Sequence, residues 1–171
     1  FDGKGEQVNG VLFYIPDLWE NFLTHNYKKY FAQNGFYVHT QFEFNIFRRS
    51  GGRNYTKRLR PDFVFTRENN KKKPAFILDA KFKPKWYDVA AGEKSLNEVF
   101  DDYVQVINYM VSCNAKAAGV IFPSNGGELE ICEFDISKFN EENKFYCCSL
   151  FVPEAEGSYV SWVRSFNGNI E

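Results

Sequence analysis

No stretch of this 171-residue chain approaches the roughly 20 consecutive apolar residues that a membrane-spanning helix needs. No positively charged start leads into an apolar core of the kind that directs secretion. A membrane location is therefore not expected, and a cytoplasmic one is. Cysteine is sparse: Cys113, Cys132, Cys147 and Cys148 form no CxxC pair, and no histidine cluster stands near them to complete a zinc site. They read as reduced thiols. Adjacent Cys147 and Cys148 point to opposite faces of a strand, which favours core packing over metal or redox chemistry. His25 and His39 lie far apart with no Ser or Cys nucleophile motif nearby, so neither is assigned a role. Repeats, linkers and low-complexity stretches are also missing. Residues 1–171 thus read as a single domain, and the start at Phe1 reads as a fragment of a longer chain with an upstream region missing.

What is present is a core and a divided charge. Hydrophobic residues make up 44% of the chain and aromatics 19%, enough to place it among globular proteins. The net charge of -1 conceals an asymmetry, because thirteen basic residues face three acidic ones between Arg48 and Lys85. That segment carries +10 and the remainder -11. A local basic field of this kind suits a polyanion such as nucleic acid. The Lys71–Lys73 run is expected in a hairpin turn between two strands, where it reads as a solvated face.

The element pattern is α/β. Pro16 to about Gln33 predicts a helix, with proline in its first turn and Gly35 just past its end. Trp19, Leu23, Tyr27, Tyr30 and Phe31 form one apolar arc of that helix, and Glu20 falls inside the arc. Two readings of Glu20 stand: a carboxylate facing a site, or a helix-start acid in solvent. Residues 36–49 alternate as a strand, 50–54 (SGGRN) turn the chain, and 55–65 return as a second strand with Asp62 inside it. Residues 74–82 read as a central strand, and 95–114 as one long crossover helix with Leu96, Val99, Phe100, Tyr103, Val104, Ile107 and Met110 on its apolar face. Strands follow at 117–124 and 128–136, separated by the turn at Asn125-Gly126-Gly127, and a further strand at 144–152. An amphipathic helix is expected around 158–166.

Charge at core positions poses the chemical question. Asp62 opens one strand, while Asp79 and Lys81 interrupt an otherwise apolar one, and burying an unpaired ion costs several kcal/mol. Alternation puts Asp79 and Lys81 on the same side, about 6.6 Å apart along the strand. Asp62 lies at the start of the neighbouring hairpin strand, where its carboxylate can converge on Asp79. A hard divalent cation would relieve the repulsion between them, and Mg²⁺ is commonly held by one or two carboxylates with waters and phosphate oxygens. The Lys81 ammonium would then orient an attacking water and stabilise charge building on a phosphate. Plain salt bridges, Asp79 to Lys81 or Asp62 to Arg60, are the alternative.

These residues carry a resemblance. "RPD" followed by an apolar strand ending in "DAK", with "WENFL" in a preceding helix and "QVINY" in a following one, resembles the PD-(D/E)xK restriction-endonuclease-like nuclease superfamily. The wording "LRPDFVF…AFILDAKFK…DDYVQVINYM" is most similar to the McrC-type nuclease domains of McrBC modified-cytosine restriction systems. The likeness runs from about Pro16 to Met110. It implies a central mixed β-sheet flanked by α-helices. It implies Asp62 and Asp79 as metal ligands with the Ala80 carbonyl, Lys81 as the catalytic lysine and Glu20 at the edge of the metal site. Gln105 and Tyr109, one helical turn apart, would approach the scissile phosphate or brace the site; by spacing alone Tyr109 reads as a core aromatic. Arg53, Lys57, Arg58, Arg60 and Lys83 would contact the DNA backbone.

The expected activity is Mg²⁺-dependent hydrolysis of DNA phosphodiester bonds, with Mn²⁺ able to substitute, in the cleavage module of a modification-dependent restriction system. The partners implied are double-stranded DNA and an AAA+ GTPase subunit, the latter engaged through an upstream region that this chain lacks. Two rivals share the fold: a DNA-binding or scaffold domain without activity, and a recombination or repair nuclease of another branch.

Overall fold

The computed structural model describes residues 14–45, 58–67, 70–124, 130–136 and 142–151. Helix α1 spans Ile15–Gln33. Pro16 occupies its first turn, where a missing N–H costs nothing, and Asp17 there complements the helix dipole. Trp19, Leu23, Tyr27 and Phe31 recur every four residues and bury one stripe. Gly35, at φ 73°, turns the chain out of the helix.

Strand β1 (Phe36–Thr40) is shorter than the alternation suggests. Gln41 takes φ 58°, a left-handed conformation that no strand continues through. The chain then forms β2 (Phe44–Asn45), which pairs with β3 (Arg58–Leu59) in a separate two-stranded ladder. The expected return strand is therefore two pieces, β3 and β4 (Phe63–Arg67), with Asp62 between them. The 50–54 turn, Arg53 and Lys57 lie outside the described residues, as does the helix expected around 158–166.

Strand β5 (Asn70–Ala80) takes in Lys71–Lys73, which are therefore strand residues and not the turn. Its register against β4 shifts on both sides of Thr66, and these irregularities absorb the extra residues at the hairpin's closed end. With β6 (Ala117–Ser124), β7 (Glu130–Phe134) and β8 (Lys144–Phe151), the main sheet has the order β1-β4-β5-β6-β8-β7. β5 is central, antiparallel to β4 and parallel to β6. β6 and β7, successive in the chain, are not neighbours: β8 lies between them, parallel to β6 and antiparallel to β7. Close approach of β6 and β8 requires Gly119, since a Cβ there would stand 2.2 Å from the Tyr146 carbonyl oxygen.

The β5–β6 crossover contains more than the one long helix expected. It holds α2 (Lys85–Ala90), a 3₁₀ turn (Leu96–Val99) and α3 (Phe100–Cys113). Ser95 accepts the Asn97 N–H at 3.3 Å and starts the 3₁₀ turn. Its three-residue period resets the helical phase. The buried face of α3 is accordingly Asp102, Val106, Ile107, Tyr109 and Met110, while Phe100 and Val104 are exposed. The result is a mixed sheet flanked by helices, as the α/β reading anticipates. Rings dominate the α1 side, with Phe65 stacked on Phe76 at 4.0 Å and in edge contact with Phe31 at 4.6 Å. Val64, Ile77, Trp86, Val106 and Met110 fill the α3 side. Cys147 and Cys148 fall on opposite sides, both as free thiols.

Candidate active site

The β4–β5 register pairs Phe63 with Leu78, which brings Asp62, at the entry of β4, opposite Asp79, at the exit of β5. Asp62 Oδ2 accepts the Ala80 N–H at 2.7 Å, fixing one carboxylate across the strand end. Lys81, one residue past β5, stays bound to the sheet through its own N–H, which donates to the Ile121 carbonyl at 2.9 Å. The same carbonyl accepts the Trp19 indole N–H at 3.2 Å, so the first turns of α1 are pinned to this strand end.

The two carboxylates are in conflict. Burial, then the charge of Asp79, push the Asp62 carboxyl up to about 8 against the pull of the Ala80 N–H. Burial also raises Asp79, which is 2% exposed, although Lys81 works the other way. Asp79 Oδ2 lies 2.5 Å from Lys81 Nζ as a buried ion pair.

Lys81 is held from α3 as well. Its Nζ donates to Gln105 Oε1 at 3.1 Å, and Gln105 Nε2 donates to the Tyr109 hydroxyl at 2.5 Å. Burial works against the Lys81 ammonium, but Asp79, Asp102 and Asp62 outweigh it and raise its pKa above the ordinary value. Lys81 is therefore a cation and a donor, not a base. Tyr109 is 4% exposed, so it is both a core aromatic and part of the site's hydrogen-bond chain.

Asp102 is the residue that sequence reasoning missed. It falls inside the helix expected over 95–114 with nothing beside it in the sequence to mark burial, yet it is 7% exposed. Lys83 Nζ donates to both its oxygens at 2.8 Å, the buried Trp86 indole donates to Oδ2 at 3.1 Å, and Lys81 Nζ lies 3.7 Å from Oδ1. The available signal was its spacing, three residues before Gln105 and seven before Tyr109, which places all three on one helical face.

The remaining predicted residues divide. Glu20 is half-buried; burial raises its pKa, Arg60 opposes this, and Asp17 and Asp79 reinforce it, so its carboxylate feels the charge of Asp79. Arg58 makes an exposed pair with Glu43 at 3.2 Å, and Lys83 is committed to Asp102. Among the described residues, no group of three or more His, Cys, Asp or Glu side chains is arranged to hold a metal ion by itself. The donor set is the two repelling carboxylates of Asp62 and Asp79 and the adjacent Ala80 backbone, which fits a cation that takes its other ligands from water and phosphate. Among the described residues, no helix is long and apolar enough to cross a membrane.

Comparison with curated proteins finds no significant match. Among solved structures, a chain of the refined half-complex from the tetradecameric assembly of Thermococcus gammatolerans McrB AAA+ hexamers with bound McrC is similar over 94% of the present chain, at a TM-score of 0.57 and 16% identity. The likeness establishes a common fold, and the present chain spans only 34% of that one. Residues 1–123, well over half of the sequence, match the family described as McrBC 5-methylcytosine restriction system component. The chain belongs to that family.

Proposed function

We propose that this chain is the DNA-cleaving domain of a McrBC-type restriction system, a PD-(D/E)xK endonuclease that hydrolyses phosphodiester bonds with Mg²⁺. The observation that carries this reading is the convergence of Asp62, Asp79 and Lys81 at the end of a central strand, with the buried Asp79 Oδ2 paired to the Lys81 ammonium. Asp62, Asp79 and the Ala80 carbonyl would hold the cation, and Mn²⁺ would fit the same oxygen donors. When bound, the cation neutralises charge on the scissile phosphate.

The chain's own residues supply the rest. Lys81, kept cationic by its acidic neighbours, orients a water toward phosphorus and stabilises the extra negative charge of the transition state. Gln105 fixes the Lys81 ammonium and is itself fixed by Tyr109, so the donor is aimed before substrate arrives. Glu20, which feels the charge of Asp79, would accept from waters at the edge of the site. Arg58 and Arg60, with Arg53 and Lys57 in the same basic segment, supply phosphate contacts of little sequence preference. Recognition of modified cytosine then lies outside this chain. An AAA+ partner, like the McrB hexamers that hold McrC in the Thermococcus gammatolerans assembly, would deliver the DNA.

The test is incubation of supercoiled and linear DNA with the protein in Mg²⁺, Mn²⁺ or EDTA, beside a Lys81→Ala control. Metal-dependent nicking of the circle by the wild type alone supports an endonuclease. DNA binding without cleavage under any metal leaves the scaffold reading, and digestion of linear DNA alone makes it an exonuclease.

A further inference from the structure

Asp102 is the buried acid at this site that neither the carboxylate pair nor the basic segment accounts for. Placing a carboxylate at 7% exposure is costly unless it is fully compensated. Lys83, half-exposed, could pair equally well with a surface acid. The Trp86 indole could not, because Trp86 is 0% exposed and holds Asp102 Oδ2 at 3.1 Å inside the core. That bond fixes the carboxylate rotamer and leaves Oδ1 directed at Lys81 Nζ, 3.7 Å away. An ammonium offers three donors in a tripod. Around Lys81 Nζ stand Asp79 Oδ2 at 2.5 Å, Gln105 Oε1 at 3.1 Å and Asp102 Oδ1. Asp102 thus adds a second anion to the ammonium's surroundings, and without it Asp79 and Gln105 alone hold the Lys81 side chain. Lys83 meanwhile neutralises Asp102, so a second anion is present near Lys81 without adding a competing cation ligand.

We infer that Asp102 is a positioning residue: locked by Trp86 and neutralised by Lys83, it completes with Asp79 and Gln105 the cradle that keeps the Lys81 ammonium in one place at the strand end. The inference rests on the nuclease reading of the site. It predicts that Asp102→Asn, which keeps an acceptor for Trp86 and removes the charge, lowers the single-turnover cleavage rate about 10- to 100-fold with DNA affinity unchanged, and that Asp102→Glu recovers part of the loss. Independently of activity, reductive dimethylation read by mass spectrometry should label Lys81 faster in Asp102→Asn than in the wild type, where that side chain is 14% exposed.

Unchanged cleavage and unchanged labelling would overturn the inference. So would a loss of rate that tracks a loss of thermal stability, with no change in labelling, since that is packing alone. If Asp102→Asn does not fold, Trp86→Phe frees the carboxylate without removing it: a slower rate at constant DNA affinity supports the inference, and a wild-type rate overturns it. Should the wild type cleave no DNA under any metal while Lys81 labelling still rises in Asp102→Asn, the positioning geometry stands and the nuclease reading falls.

Discussion

The face of the sheet under α1 and the face under α3 are built from the same β4–β5 hairpin, one residue out of phase. Phe63, Phe65 and Leu78 go to the first, where they meet Tyr27 and Phe31 in a wall of rings. Val64 and Ile77 go to the second, and so, two residues beyond Ile77, does Asp79. The α1 face is chiefly apolar packing. The α3 face begins as an ordinary apolar core and ends in Asp62, Asp79 and Lys81, three ionisable groups whose burial works against the fold, with Asp102 beside them. Because strand alternation separates the two by a single residue, substitutions in one hairpin should fall cleanly into two classes: those that change stability and those that change chemistry.

Lys81→Ala is the sharpest break. Cleavage should drop on the order of 1000-fold or more while the thermal midpoint stays near that of the wild type, measured by single-turnover assay and calorimetry on one preparation. Cleavage persisting at the wild-type rate would end the assignment of chemistry to the α3 face.

Phe65→Ala probes the other face. It removes a ring stacked on Phe76 and touching Phe31, and should cost about 3–5 kcal/mol in urea unfolding. The fraction that remains folded should cleave normally. A fall in its rate per folded molecule would show that the two faces are not separable.

Metal addition sharpens the comparison further. Mg²⁺ at about 100 times its Kd should stabilise the wild type by about 2.7 kcal/mol, read as a rise in thermal midpoint over EDTA. Asp79→Asn should show no such rise and, relieved of repulsion with Asp62, should match or exceed the wild type in EDTA. A loss of stability in EDTA would make Asp79–Lys81 a structural salt bridge first and a site second.

Glu20→Gln carries the smallest effect. On the α1 side of the divide but electrostatically aware of Asp79, it should lower cleavage only at limiting Mg²⁺ and recover as Mg²⁺ rises, with at most about 1 kcal/mol of stability lost. Superimposable Mg²⁺ titrations would assign Glu20 to the helix terminus alone.

What could be read from the chain follows the same division. Local rules reach α1, the central strand and the Asp62, Asp79 and Lys81 set, because apolar runs with charges set into them are visible residue by residue. They miss whatever depends on phase or on distant pairing. Gln41 carries no glycine to announce its left-handed turn. α2, six residues long after Pro84, has no side-chain cap to announce its start. The 3₁₀ turn after Ser95 rotates α3 enough to expose Phe100 and bury Asp102. The insertion of β8 between β6 and β7 is a non-local pairing that no turn residue encodes.

The doubly used Ile121 carbonyl has a consequence in time. Its two lone pairs are filled by the Lys81 amide and the Trp19 indole, so no acceptor remains there for an invading water. Hydrogen exchange at the Lys81 amide must wait for α1 and β5 to separate from β6 together. A lysine just past the end of its strand, where fraying is the usual state, should then exchange with the slow protons of the core, and its indole partner should exchange in step with it.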